Sequence, residues 1–168
     1  YATALGRDST RVVSCNTTAT VRALTALKDV GLLSKARGVL IRRATDPWES
    51  DLSGIMNTIV PEGRLPSHQG PDAQSVVPDL DVVTMAAKGA HTQNHLHYWT
   101  IELTRPAEKQ EVLEAFRAMP RIAFVRRSDG VVAVNSTVEL MEDLGRPRGA
   151  MYEVALWEDI LTVDGNEL

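Results

Sequence analysis

Arg11-Val12-Val13-Ser14-Cys15-Asn16-Thr17-Thr18, running on into Val21, Leu24, Leu27, Val30 and Gly31, is the stretch on which the reading of the fold turns. Val12 and Val13 predict a short strand over residues 11–14. Asn16, Thr17 and Thr18 are all candidate N-caps for the segment that follows. The apolar residues 21, 24, 27 and 30 recur at helical spacing, and Gly31 closes the pattern as a C-cap. Cys15 therefore sits where a strand turns into the N-terminus of a helix.

Outward from there, residues 36–44 read as a strand centred on Val39, Leu40 and Ile41. Asp46-Pro47 opens a short helix through Leu52, with Asp as cap and Pro at the first helical position. Residues 62–78 form a long loop rich in Gly, Pro, Ser and Asp, of the kind that carries function. It contains Pro66-Ser67-His68-Gln69-Gly70-Pro71-Asp72. Strands are expected over 80–87 and 95–104, adjacent to one another. A helix over 107–119, a strand over 121–126 and a helix over 136–144 follow, the last closed by Gly145 and Pro147. Two short strands, 152–158 and 160–163, complete the chain. Strands come in pairs as well as alternating with helices. That order predicts an α+β layer structure, with a mixed or antiparallel sheet and helices on one face. No G-x-G-x-x-G fingerprint is present, so this piece is not expected to bind a dinucleotide by itself in the doubly wound manner.

The chain has 168 residues, enough for one domain or two very small ones. Its 18 Lys and Arg against 22 Asp and Glu leave a formal charge of −4, the wrong sign for general nucleic-acid binding. With 43% hydrophobic and 24% charged residues it has an ordinary globular composition. The single cysteine allows no internal disulfide and suits a reducing compartment or a chemical role. No membrane span is expected, and no basic-then-apolar leader is seen. A start at Tyr1 rather than Met reads as an excised domain.

Cys15 is the first candidate for chemistry. A thiolate is the nucleophile, and a helix N-terminus offers unpaired N–H groups and partial positive charge to a negative sulfur. The same N–H groups could hold an oxyanion. The bland alternative is a small buried hydrophobe. His95 and His97 come next, sharing one strand face with Trp99, Ile101 and Leu103. Either is a candidate base beside Cys15, or a satisfied structural histidine. A metal site is not expected, because His-x-His has no partner cluster. Arg42-Arg43, His68, Thr17 and Thr18 together offer anion-binding donors, or else the arginines are a solvated strand end. Arg126-Arg127 and Arg146-Pro147-Arg148 read as surface or interface charges. Trp48, Trp99 and Trp157 read as core or subunit contacts.

At this point the residues resemble a family. Val12 to Thr18 is similar to the nucleophile segment of the archaeal-type (type II) glyceraldehyde-3-phosphate dehydrogenases. The likeness continues through Ile41-Arg42-Arg43 with Asp46-Pro47, Pro66 to Asp72, Asp81 to Ala86, and His95-Leu96-His97. It ends with Leu144 to Arg148, Tyr152-Glu153-Val154, Trp157-Glu158, and Gly165 to Leu168. No short motif is decisive alone, but the co-linear set is specific.

The resemblance implies a catalytic domain over 1–168, with the dinucleotide-binding domain and a final helix lying elsewhere. It implies a mostly antiparallel mixed sheet with helices on one face, the other face packing in a homotetramer. It further implies oxidation of glyceraldehyde 3-phosphate with NAD or NADP and inorganic phosphate to 1,3-bisphosphoglycerate, in the cytoplasm. By resemblance Cys15 is the nucleophile that carries the thioester. His95 takes the hydroxyl proton as hydride leaves. Ser14, Asn16, Thr17, His68 and Gln69 contact the substrate, and Arg43 contacts the cofactor. One departure stands out: the family usually reads His-His-Gly where this chain reads His68-Gln69-Gly70, and Gln cannot carry charge. Two other readings remain open. One is a different aldehyde or acyl-phosphate dehydrogenase of the same fold, such as an aspartate-semialdehyde dehydrogenase relative. The other is a non-enzymatic interaction domain with a reactive thiol.

Overall fold

A computed structural model describes residues 6–10, 12–44 and 59–168. The expected helix from Asp46-Pro47, and Trp48 with it, lie outside the described residues. Helix α1 spans Cys15–Asp29. Ser14 caps it: its backbone is extended, and its Oγ accepts the Thr17 N–H at 3.2 Å. Asn16, Thr17 and Thr18 lie inside the helix, so the expected caps are corrected to the last extended residue before it. The strand expected over 11–14 is corrected too. Residues 12–14 form no strand, and Val12 is 82% exposed. Two neighbouring valines point to opposite sides and have no ladder to join. The far end of α1 closes as expected. Gly31 takes a left-handed conformation at φ 72°, while Gly31 N–H bonds Lys28 O and Leu32 N–H bonds Leu27 O, both at 2.9 Å.

Strand β1 (Leu33–Arg43) follows at once and becomes the centre of a four-stranded sheet. It pairs in parallel with β3 (Val82–Gly89) and antiparallel with β4 (Leu96–Leu103). A short β2 (Val60–Pro61), which periodicity did not reveal, pairs antiparallel with the outer edge of β3. The strands expected over 80–87 and 95–104 are both present but are not adjacent, because β1 lies between them. With 11 residues β1 can satisfy backbone groups along both edges. The β3–β4 connection therefore crosses the end of β1, where Ala44 N–H bonds His91 O at 2.8 Å. Gly38 has to be glycine: a Cβ there would lie 2.5 Å from the ring of Trp99, its partner across β4.

The expected 62–78 loop contains helix α2 (Gln69–Val76). Pro71 falls in its first turn, where a missing N–H costs nothing, so the proline does not prevent the helix. Helix α3 (Lys109–Ala118), strand β5 (Ile122–Val125), helix α4 (Ser136–Asp143) and strand β6 (Val154–Trp157) complete the order. β5 and β6 pair in parallel as a second small sheet. The strand expected over 160–163 does not form. Instead residues 166–168 pair with β4, Ile101 N–H bonding Leu168 O and Leu103 N–H bonding Asn166 O, each at 2.7 Å.

The core lies on one face of the main sheet. Leu24 and Leu27 of α1, Ala73 of α2 and Val112 and Phe116 of α3 pack on Ala36, Val82, Ile101 and Leu103. Each large side chain so buried contributes about 1.5–3 kcal/mol. The opposite face carries Val39, Met85 and Tyr98 in one row across three strands, all of them exposed. This is the expected α+β arrangement, a mixed sheet with helices on one face.

Candidate active site

Three elements meet at the C-terminal end of β1. Helix α1 begins there with Cys15, β1 ends there with Arg42 and Arg43, and β4 enters there just after His95. Capping uses the Ser14 hydroxyl, which also lies 2.8 Å from Thr17 Oγ1. The N–H groups of Cys15 and Asn16 belong to the first turn and so have no intrahelical acceptor. Cys15 is exposed, so the reading of a buried hydrophobe does not hold.

The Cys15 Sγ lies 3.2 Å from His95 Nε2. On the other side of the ring, Arg43 N–H donates to His95 Nδ1 at 3.0 Å. A backbone N–H can only donate, so Nδ1 is the acceptor and the neutral ring carries its proton on Nε2, facing sulfur. Burial lowers the His95 pKa from 6.5 to about 4, helped by the charges of Arg43, Arg42 and His91. The ring is thus neutral near pH 7. His97, two residues on, donates from Nε2 to Asn16 Oδ1 at 2.8 Å and fixes which way that amide faces. Burial, then His95, lowers its pKa to about 4 as well.

His68 and Gln69 form a separate bracket. His68 Nδ1 donates to Asp72 Oδ2 at 2.8 Å, which leaves Nε2 to accept from Gln69 Nε2 at 2.9 Å. Thr84 fastens this segment to β3. Its Oγ1 accepts from Ser67 Oγ (2.8 Å) and Gly70 N–H (2.9 Å) and donates to Ser67 O (3.1 Å).

The structure brings Cys15, Asn16, His95, His97 and the Arg43 backbone together. It does not assemble the suggested anion site from Arg42-Arg43, His68, Thr17 and Thr18. Arg42 pairs with Glu62 at 2.7 Å, Thr17 bonds Ser14, and His68 turns to Asp72. Arg126 and Arg146 are likewise engaged, with Glu158 and Glu153. Trp157 packs with its Nε1 donating to Val131 O at 2.7 Å. Sequence reasoning missed Asp72, Thr84, Asn94 and Thr137. Asp72 and Thr84 fall in segments that carry the family resemblance, and Asp72 also stands four residues from His68; Asn94 and Thr137 carry no such signal.

A thiol at a helix start, 3.2 Å from a neutral histidine on an α+β sheet, is an arrangement able to attack an electrophile covalently. Comparison with known proteins makes this specific. The family described as glyceraldehyde 3-phosphate dehydrogenase, C-terminal domain, matches residues 14–159. Over its full length the chain is similar to proteins named glyceraldehyde-3-phosphate dehydrogenase. It is 45% identical to that of Pyrobaculum calidifontis, covering 49% of that protein. It is 40% identical to that of Methanobrevibacter smithii, covering 50% of it, and 38% identical to that of Metallosphaera sedula, covering 49%. The chain belongs to the glyceraldehyde-3-phosphate dehydrogenase family, in its C-terminal domain. It spans about half the length of the curated relatives it matches.

Proposed function

We propose that this chain is the catalytic half of a phosphorylating glyceraldehyde-3-phosphate dehydrogenase, converting glyceraldehyde 3-phosphate and inorganic phosphate to 1,3-bisphosphoglycerate. The observation that carries the reading is the Cys15–His95 contact at 3.2 Å, with the ring tautomer set by Arg43 N–H. The Cys15 thiolate adds to the aldehyde carbon, and the carbonyl π pair moves to oxygen. The first-turn N–H groups of α1 and the His95 Nε2–H stabilise that oxyanion. Asn16, with Ser14 and Thr17 behind it, lines the substrate side.

Attack by thiolate makes an alkoxide directly. Loss of hydride from it leaves a thioester with no hydroxyl proton to remove, and His95, whose Nδ1 is taken by the Arg43 N–H, serves as a donor rather than as the proton acceptor the resemblance implied. A phosphate oxygen then attacks the thioester carbon and the Cys15 thiolate leaves, giving the acyl phosphate.

The family implies a nicotinamide cofactor, NAD or NADP, held mainly by a preceding part of the protein. When bound, it supplies the hydride acceptor. The Arg43 guanidinium suits it. Its charge acts on His95, and a guanidinium is a donor fork suited to a phosphate-bearing ligand. His68, whose side chain is half exposed, is assigned to the phosphate-bearing end of the substrate or to inorganic phosphate, and the buried Gln69 to holding its ring. The exposed row of Val39, Met85 and Tyr98 is the face through which copies assemble, as a homotetramer. A cytoplasmic location goes with this reading.

The test is Cys15→Ser in the intact protein. Oxidation of glyceraldehyde 3-phosphate should stop while NAD(P) binding persists; turnover near the wild-type rate would sink the proposal. A substrate panel with and without a 3-phosphate, and with aspartate semialdehyde, then separates this reading from other dehydrogenases of the fold.

A further inference from the structure

Asn94, the residue before His95, is one of the non-glycine residues with a left-handed backbone, at φ 55°. Asn tolerates that conformation better than most residues, though not freely. Its side chain does not reach into the active site. Both N–H bonds of Nδ2 are spent on the far side of the chain, on Val134 O at 3.0 Å and Thr137 Oγ1 at 2.8 Å. Thr137 is buried and passes its own hydroxyl proton to Val134 O at 2.6 Å. The three groups thus form a closed set in which every donor has an acceptor. Thr137 belongs to the first turn of α4, and Val134 to the segment leading into it.

The connection that this set fastens needs fastening. Ala90, Thr92 and Gln93 are exposed, and one earlier point of attachment is Ala44 N–H on His91 O. Beyond it the chain has to deliver the His95 ring between Arg43 N–H and Cys15 Sγ. The amide NH2 of Asn94 bonds both the carbonyl and the hydroxyl oxygen while the backbone stays left-handed.

We propose that Asn94, anchored by Thr137 and the Val134 carbonyl, is a positioning residue that holds the His95 ring against Cys15. The inference rests on the Cys15–His95 reading above and deepens it. The α4 segment, which contributes no reacting group, becomes the support of the histidine.

The experiment uses Asn94→Gly, which keeps the backbone but loses both bonds, and Thr137→Val, which removes one acceptor far from the ring. Thr137→Ser restores the hydroxyl. The readouts on the intact protein are alkylation of Cys15 by iodoacetamide across pH, kcat and KM for glyceraldehyde 3-phosphate, and the thermal midpoint. Asn94→Gly and Thr137→Val should slow alkylation at pH 7 and lower kcat by about tenfold, with KM within about twofold, because misplacing a reacting group costs rate rather than binding. Thr137→Ser should match wild type. If the two variants lower the thermal midpoint yet alkylate and turn over at the wild-type rate, the anchor is only structural and the proposal fails.

His95→Ala is the control. Slowed alkylation there with normal Asn94→Gly behaviour overturns the anchor alone. Unchanged alkylation in His95→Ala overturns the anchor and the Cys15–His95 pair together. Slowed alkylation in all three variants in a protein that does not oxidise glyceraldehyde 3-phosphate supports the anchor and refutes the substrate.

Discussion

His95 and His68 each use both ring nitrogens, but with opposite polarity. His95 accepts on Nδ1 from a backbone N–H and turns its Nε2 proton toward the Cys15 sulfur. His68 donates from Nδ1 to a carboxylate and accepts on Nε2 from Gln69. The first ring is held by main chain and presents a donor to the Cys15 sulfur. The second is held by side chains of its own helix and spends both nitrogens locally. Residue type alone would make them interchangeable. What differs is which neighbour fixes the tautomer.

The strongest way to break this contrast is to remove each ring. His95→Ala should lower turnover by about 10²–10³-fold, in the range of a positioned acid–base or donor group. His68→Ala should cost less than about tenfold and fall mainly on KM for the phosphate-bearing substrate. Steady-state kinetics on both variants check this, and equal losses in kcat would erase the distinction.

A smaller effect concerns pH. His95 and His97 both titrate near 4 when folded, below the ordinary 6.5, so the unfolded chain binds more protons between those values. Their contribution to stability is complete above pH 6.5 and is lost progressively as the pH falls toward 4. The thermal midpoint should therefore fall across that window. His97→Asn, which keeps a donor for Asn16, should flatten the fall; an unchanged slope would show that His97 is not part of it.

The smallest change is Gln69→His, which restores the pair usual in the family. Position 69 is buried and acts through its bond to His68 Nε2, so an imidazole in place of the amide should change KM for glyceraldehyde 3-phosphate or phosphate by about two- to fivefold with kcat little affected. No change in KM would mean that the His68 segment does not meet the phosphate.

Much of this site was readable before any fold was known. Cys15 could be placed at a helix start because the apolar spacing of Val21, Leu24 and Leu27 marks α1 and Gly31 marks its end. His95 and His97 could be placed on one face by alternation. The cap was not readable, because Ser14, Asn16, Thr17 and Thr18 are all good caps and only the backbone angle chooses among them. Helix α2 was hidden by Gly70 and Pro71, residues that break helices in the middle but fit a first turn.

Sequence by itself determined most of the helices and the longer strands, and marked Cys15 and the histidines as the residues with chemistry to offer, since periodicity and residue chemistry are local properties. Tertiary structure decided the rest. The order of strands, with β1 between β3 and β4, depends on backbone pairing over long separations that no local pattern encodes. The roles of the histidines depend on it as well. A ring's tautomer is set by whichever donor or acceptor reaches it, and for His95 that donor is the main chain of Arg43, 52 residues away in sequence.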